Sequence, residues 1–254
     1  MTAKGAGRTP PSPVLAVGLG RGYGGKSTGL SELVWRARDQ RREIIVADGD
    51  TRSRTLAGLF PDAMVPATGE LPDVKDWLSG VLNRMVVEQR SAVLDLGGGD
   101  RVLQEYGRDL LLVEFCAEYG IEPLALYFLG PDAEDLRHAL SIWEAGYFRP
   151  GRAFLVLNEG VIRDGRTIAG AFEATLGDPG LARMVEAGAV PVMMKRLACM
   201  DLVRRSGLGF YAAASGEKGA SGRPLDPTYA FMVRKWLRDL EAERRDQVGN
   251  GWLP

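Results

Sequence analysis

Residues 20–27 read Gly20-Arg21-Gly22-Tyr23-Gly24-Gly25-Lys26-Ser27, and this stretch decides the fold of the chain. It satisfies the pattern G-x-x-x-x-G-K-[ST], which is the phosphate-binding P-loop. The apolar residues 14–17 come just before it and are typical of a buried strand. Apolar residues at helical spacing follow it, at Leu30, Leu33, Val34 and Ala37. A strand, a glycine-rich loop and a helix in this order form the context that the motif requires.

The residue types of the loop suit a phosphate ligand. Glycines let the backbone turn so that successive N–H groups point at phosphate oxygens. The helix that begins near Lys26 adds the positive end of its dipole. Lys26 is expected to reach the β- and γ-phosphates, and the Ser27 hydroxyl is expected to bind Mg²⁺.

Composition limits the class of protein without naming a partner. A chain of 254 residues with 45% hydrophobic content predicts one large α/β domain. The formal net charge of −1 gives no overall attraction to nucleic acid or acidic membranes, although a local basic patch stays open. Cys116 and Cys199 are too far apart in sequence for a metal motif, and they suit a reducing, cytoplasmic location. No apolar run is long enough to span a bilayer.

Strand and helix patterns alternate along the chain. We expect a flexible leader over residues 1–12, a single P-loop ATPase domain over 13–247 and a C-terminal tail over 248–254. Strands are predicted at residues 14–17, 43–47, 92–96, 123–129, 153–157 and 189–193. Helices are predicted after the P-loop and at residues 73–89, 101–119, 132 onward, 167–176, 181–186, 200–205 and 228–246. A loop with short structure is expected at 51–71 and a polar loop at 215–227. This alternation predicts a mostly parallel sheet covered by helices on both faces.

Polar residues follow several of the predicted strands. Asp95 ends an apolar strand, as a Walker B carboxylate does, and is expected to bind Mg²⁺ through water or the Ser27 hydroxyl. Gly97 is placed to bring its backbone N–H to a γ-phosphate. The alternative is that Asp95 is an ordinary strand-ending Asp before a glycine turn. The P-loop, Asp50, Gly97 and Asn158 all follow strand ends, so they are expected to share one edge of the sheet.

These stretches resemble the ParA/MinD family of P-loop ATPases. That family carries K-G-G-x-G-K-[ST], a D-x-D after the second strand, and a Walker B Asp followed by glycine. The matching stretches are residues 21–27, Asp48-Gly49-Asp50 and Leu94-Asp95-Leu96-Gly97. Within the family, residues 48–51 and 95–100 look most like TraL-type proteins of conjugative plasmids, and residues 130–132 and 157–160 fit that subgroup too. The resemblance covers roughly residues 12–215 in order.

The resemblance implies ligands and residue roles. It implies ATP or ADP with Mg²⁺, and an Asp50 that positions the attacking water, with loop capping as the alternative. It implies that Asn158 reads adenine, with a turn-forming Asn as the alternative. The implied catalytic residues are Lys26, Asp50 and Arg21, and the implied metal ligands are Ser27, Asp50 and Asp95. The implied nucleotide-binding residues are Gly22, Gly24, Gly25, Lys26, Ser27, Thr28, Gly97 and Asn158.

The sequence departs from the family pattern at two loop positions. Arg21 replaces the signature Lys, which in the family reaches across a dimer to the partner's nucleotide. Arginine keeps the charge and binds phosphate through a planar fork. Tyr23 replaces the second glycine and is expected to crowd the loop.

Three functions stay open at this stage. The leading one is an ATPase switch that forms an ATP-dependent homodimer and acts in plasmid conjugal transfer, partition or positioning, together with a protein partner. The second is a nucleotide-binding adaptor with little hydrolysis, and the third is a small-molecule P-loop kinase. Lys195-Arg196 and Arg204-Arg205 are candidates for contact with DNA phosphates, with a solvated charged surface as the alternative.

Overall fold

The computed structural model describes residues 12–97, 101–162, 167–248 and 251–254. Of the predicted leader, only its last residue, Ser12, lies in this part of the chain. Gly98, Gly99 and Asp100 of the TraL-like run lie outside the described residues.

Within the described residues, six strands form one sheet. They are β1 (Val14–Leu19), β2 (Ile44–Asp48), β3 (Ser91–Asp95), β4 (Glu122–Leu129), β5 (Arg152–Asn158) and β6 (Ala189–Met194). Their order across the sheet is β2-β3-β1-β4-β5-β6, and every neighbouring pair is parallel. The predicted α/β class with a parallel sheet is therefore confirmed.

Helices cover both faces of this sheet. They are α1 (Lys26–Asp39), α2 (Thr55–Leu59), α3 (Leu71–Glu88), α4 (Arg101–Leu110), α5 (Leu112–Glu118), α6 (Ala133–Ala145), α7 (Glu173–Leu176), α8 (Pro179–Glu186), α9 (Met200–Ser206), α10 (Phe210–Ser215) and α11 (Pro227–Val248). One apolar core joins the sheet to α3, α5, α6 and α8, and the other joins it to α1, α9, α10 and α11.

Strand β1 shows why the sheet needs both layers. All six of its residues are buried. Leu15 and Val17 belong to the first core, whereas Val14 and Ala16 belong to the second, because side chains alternate between the faces of a strand. A strand that is apolar on both sides is stable only when helices remove both faces from water.

Several elements differ from the sequence predictions. The predicted helix at residues 101–119 is two helices, because Leu111 adopts a left-handed backbone with φ 52° between α4 and α5. The short structure expected within 51–71 is the helix α2, whereas α10 was not predicted. In the predicted helix at 167–176, only Glu173–Leu176 is helical.

Charged residues join the P-loop helix α1 to the last helix α11. Glu32 is fully buried, and its Oε2 lies 2.7 Å from Nη1 of Arg244. The Tyr211 hydroxyl donates to Oε1 of the same glutamate at 3.2 Å. One turn further along, Arg36 pairs with Glu241. Since a buried charge without its partner is strongly destabilising, this cluster fixes α11 against α1.

The chain end lies against the same layer. Arg36 Nη1 donates to the Pro254 carbonyl at 3.3 Å, and Leu253 is buried. The Trp252 ring lies 5.3 Å from that of Phe154. Residues 251–254, within the segment expected to be a tail, therefore pack onto the domain.

Candidate functional site

Two glycines give the loop between β1 and α1 its path. Gly20 has φ 129°, and a Cβ there would lie 2.7 Å from the Phe128 carbonyl oxygen. Gly25 has φ 85°, and a Cβ there would lie 2.0 Å from Nδ2 of Asn158. Larger residues would meet both a steric clash and an unfavourable backbone at these positions. The loop therefore packs directly against the ends of β4 and β5.

The loop presents several hydrogen-bond donors inward. Within the described part of the chain, the N–H groups of Gly25, Lys26 and Ser27 form no hydrogen bond. The Lys26 side chain is only 6% exposed, and its Nζ donates to the carbonyls of Gly20 at 2.8 Å and Arg21 at 3.1 Å. No carboxylate of the described residues lies within ion-pair distance of this ammonium. Free N–H groups beside a buried cation fit an anion.

Ser27 and Asp95 meet because β1 and β3 are neighbours. Gly18 of β1 is in register with Asp95 of β3. The Ser27 hydroxyl donates to Oδ2 of Asp95 at 3.0 Å, and the Gly97 N–H donates to Oδ1 at 2.9 Å. Burial raises the pKa of the Asp95 carboxyl, while the Gly97 N–H, the Lys26 charge and the Ser27 hydroxyl oppose that shift.

Asp50 lies in the loop after β2, beside Gly97. A Cβ on Gly97, whose φ is 70°, would lie 2.9 Å from Cγ of Asp50. Oδ1 of Asp50 accepts from the N–H groups of Arg52 and Ser53, both at 3.0 Å. Those are the hydrogen bonds of a loop-capping residue. The water-positioning role of Asp50 stays a prediction, and its carboxylate lies next to the Asp95–Gly97 turn.

Asn158 ends β5 and is buried against the P-loop. Its Nδ2 donates to the Gly24 carbonyl at 2.9 Å, and its Oδ1 accepts from the Gly160 N–H at 2.9 Å. Both halves of the amide are therefore engaged within the protein. This arrangement matches the turn-forming alternative and braces the loop, while the adenine-reading role of Asn158 stays a prediction.

Arg21 and Tyr23 point in different directions from the tip of the loop. Nη1 of Arg21 lies 3.5 Å from Oδ1 of Asp135, whose Oδ2 accepts from the Gly130 N–H at 3.1 Å. Tyr23 is fully exposed and has φ 67°. The expected crowding by Tyr23 is thus absent, because the ring projects into solvent, and the local cost is a left-handed backbone on a non-glycine residue.

The sequence analysis missed two contacts at this site. Asp135 showed no motif, since it stands in the first turn of an ordinary amphipathic helix. Arg204 is a candidate for DNA contact or for a solvated surface in the sequence, and in the structure its Nη2 donates to Oγ1 of Thr28 at 3.4 Å. A Cβ on Gly22 would meet only open space. The Gly24 N–H donates to the Arg21 carbonyl at 3.3 Å.

The chain was compared with known families and structures. No protein-family model and no curated protein matches it. Similar solved structures include chloroplast FtsY from Physcomitrella patens, at 18% identity and TM-score 0.48 over 91% of this chain and 66% of that one. They also include cell division protein FtsY from Thermotoga maritima, at 18% identity and TM-score 0.49 over 90% and 70%. FlhF complexed with GMPPNP/Mg²⁺ gives 17% identity and TM-score 0.43 over 74% and 67%.

The chain has a P-loop NTPase fold. The glycine loop between β1 and α1, with the sheet order around it, places Lys26, Ser27 and Asp95 together. The present chain spans about two thirds of the length of the first of these structures, 66%.

The donor set suits Mg²⁺ held jointly with a ligand. Among the described residues, no group of three or more His, Cys, Asp or Glu side chains is arranged to hold a metal alone. Mg²⁺ is commonly bound by one or two carboxylates together with phosphates and water, and Ser27 with Asp95 fits that pattern.

No helix in the described segments is long and apolar enough to cross a bilayer.

We predict that Asp95→Asn stabilises the protein at pH 7. The folded pKa of Asp95 is raised, so protonation of this carboxyl stabilises the folded state. That stabilisation is fully present below the unfolded pKa of about 3.9 and is lost as pH rises through the folded pKa. An asparagine keeps the Gly97 and Ser27 hydrogen bonds without the buried charge. Thermal unfolding should show a higher Tm than wild type at pH 7, and the difference should shrink toward pH 4.

Asp48→Asn is the matched control. Both oxygens of Asp48 accept backbone N–H groups, from Asp50 at 3.0 Å and Ala57 at 2.8 Å, so an amide NH₂ would face another donor. This variant should lose about 1–3 kcal/mol of stability. A lower Tm for Asp95→Asn at pH 7 would contradict the account of that carboxylate.

Proposed function

We propose that this protein is a Mg²⁺-dependent ATP-binding switch of the ParA/MinD type, which hydrolyses ATP and dimerises in its ATP-bound state. The observation that carries the proposal is the buried Lys26 ammonium, which has no carboxylate partner among the described residues and belongs to the same loop as the unbonded N–H groups of Gly25 and Ser27. A triphosphate supplies the missing negative charge.

The surrounding residues divide the remaining tasks. Ser27 and Asp95 would hold Mg²⁺, which, when bound, neutralises charge on the β- and γ-phosphates. Gly97 offers backbone approach at the γ-phosphate end, and Asp50 beside it would orient water. Because Asp50 Oδ1 already caps its loop, its other oxygen is the one that acts on water.

Arg21 would connect nucleotide binding to assembly. In the free chain its guanidinium rests on Asp135 at 3.5 Å and stays 45% exposed. An exposed ion pair of this kind is weak, about 0.2–1 kcal/mol, so a triphosphate on a second copy can displace Asp135. Arg21 then binds phosphate across the dimer, as the resemblance to the ParA/MinD family suggests.

The cellular process follows from the TraL-like stretches alone. We place the switch in plasmid conjugal transfer or partition, in the cytoplasm, with a protein partner. A nucleotide-binding adaptor is the second candidate, because the capping hydrogen bonds of Asp50 suit a residue that is structural. GTP is tested beside ATP, since FlhF was solved with GMPPNP/Mg²⁺.

We predict that Lys26→Ala lowers ATP affinity by about tenfold or more, because hydrogen bonds to charged groups contribute about 1.5–3 kcal/mol. Calorimetric titration with ATP and with GTP, each with Mg²⁺, measures the loss. Lys235→Ala, which removes an exposed lysine paired with Asp239 on α11, is the control and should bind like wild type. Equal affinity in Lys26→Ala and wild type would exclude Lys26 from the site.

We predict that Asp50→Ala retains ATP, loses turnover and is dimeric with ATP and Mg²⁺. Adding Arg21→Ala should return the protein to a monomer with little loss of ATP binding, because the proposed contact exists only across the dimer. Light scattering and single-turnover hydrolysis measure assembly and chemistry separately. A double variant that remains dimeric would remove Arg21 from the switch, and undiminished turnover in Asp50→Ala would favour a capping role for Asp50.

A further inference from the structure

The helices after β6 lie along the P-loop helix α1. Val203 of α9 is buried in the same core as Leu30 of α1. Gly209, just before α10, lies so close to Trp35 that a Cβ there would be 2.6 Å from its Nε1. The Phe210 and Trp35 rings pack edge to face at 4.9 Å. Helix α10 is therefore held against α1, and α9, which precedes it, reaches the first turn of α1 through Arg204 and Thr28.

Neighbouring arginines of α9 have different surroundings. Nη2 of Arg204 donates to Oγ1 of Thr28, the residue after Ser27, at 3.4 Å. Arg205 instead donates through Nε to the Asp201 carbonyl of its own helix at 3.3 Å. Both side chains are exposed. In the described segments Arg204 forms no ion pair with a carboxylate, so its charge at the loop is available to a ligand.

The side from which Arg204 reaches the P-loop indicates which phosphate of a nucleotide it would contact. Ser27 faces Asp95 on β3, which adjoins β1 on one side. Arg204 follows β6, which is three strands away from β1 on the other side, and it reaches the loop through Thr28. The metal marks the β- and γ-phosphates. A contact made from the Thr28 side, away from the metal ligands, fits the phosphate that the metal does not hold, which is the α-phosphate.

We propose that Arg204 is a nucleotide-binding residue that contacts the α-phosphate, oriented by the Thr28 hydroxyl. This inference rests on the proposed nucleotide function. Arginine suits the task because its planar guanidinium can bind two phosphate oxygens while it keeps a further N–H for Thr28. Since AMP, ADP and ATP all carry the α-phosphate, the contact contributes to each of them.

The test compares Arg204→Ala and Arg204→Gln with Arg205→Ala. Calorimetry with AMP, ADP and ATP, each with Mg²⁺, measures binding, and thermal unfolding confirms that each variant is folded. Both Arg204 variants should bind ADP and ATP about tenfold or more weakly, by a similar factor for each. Arg205→Ala should remain within about twofold of wild type, because it removes the same charge one position away.

Three results would overturn the inference. Wild-type affinity for ADP and ATP in both Arg204 variants would show that Arg204 does not contact nucleotide. A loss confined to ATP would move the contact to the γ-phosphate. If Arg204→Ala and Arg205→Ala lose affinity for a DNA duplex equally and bind ATP like wild type, both arginines are DNA-binding residues. If wild type and Arg205→Ala bind no nucleotide, the proposed function itself fails, which is distinguishable from the first result.

Discussion

The central constraint on this structure is the buried ammonium group of Lys26. Lys26 is held in the loop by the carbonyls of Gly20 and Arg21, at 2.8 and 3.1 Å, with almost no exposure to water. Removing a charge from water costs several kcal/mol unless an opposite charge compensates it. The nearby Asp95 carboxylate lowers that cost through its field, but it is engaged with Ser27 and Gly97. An added anion is the remaining means of compensation.

The rest of the fold keeps this ammonium in place. The central position of β1 allows the loop to touch β3 on one side and β4 on the other. Phe128 packs against Gly20 and Gly29, and Asn158 holds the Gly24 carbonyl, so β4 and β5 both support the loop. Along α1, the Glu32–Arg244 pair attaches the last helix. The site is thus built on rigid elements from both halves of the chain.

The sequence predicted the parts that depend on local pattern. Glycine spacing, apolar runs and a strand-ending carboxylate are local, so the parallel sheet was predicted correctly, and Ser27 and Asp95 were expected to act together. Contacts between distant elements have no such signal. The break at Leu111 lacks a glycine or proline, and the Thr28 contact of Arg204 depends on how α9 packs against α1. Asn158 is compatible with both alternatives in sequence, and its contacts with Gly24 and Gly160, which favour the turn-forming one, are visible only in the fold.

The central claim is that the N–H groups of Gly25, Lys26 and Ser27 donate hydrogen bonds to a bound phosphate. Amide ¹H–¹⁵N NMR of the wild-type protein, titrated with ATP and Mg²⁺, tests it most directly. The account predicts large shifts and slowed hydrogen exchange at these three amides, with the Lys235 and Asp239 amides of α11 changing far less. Unchanged P-loop amides at saturating ATP would contradict it.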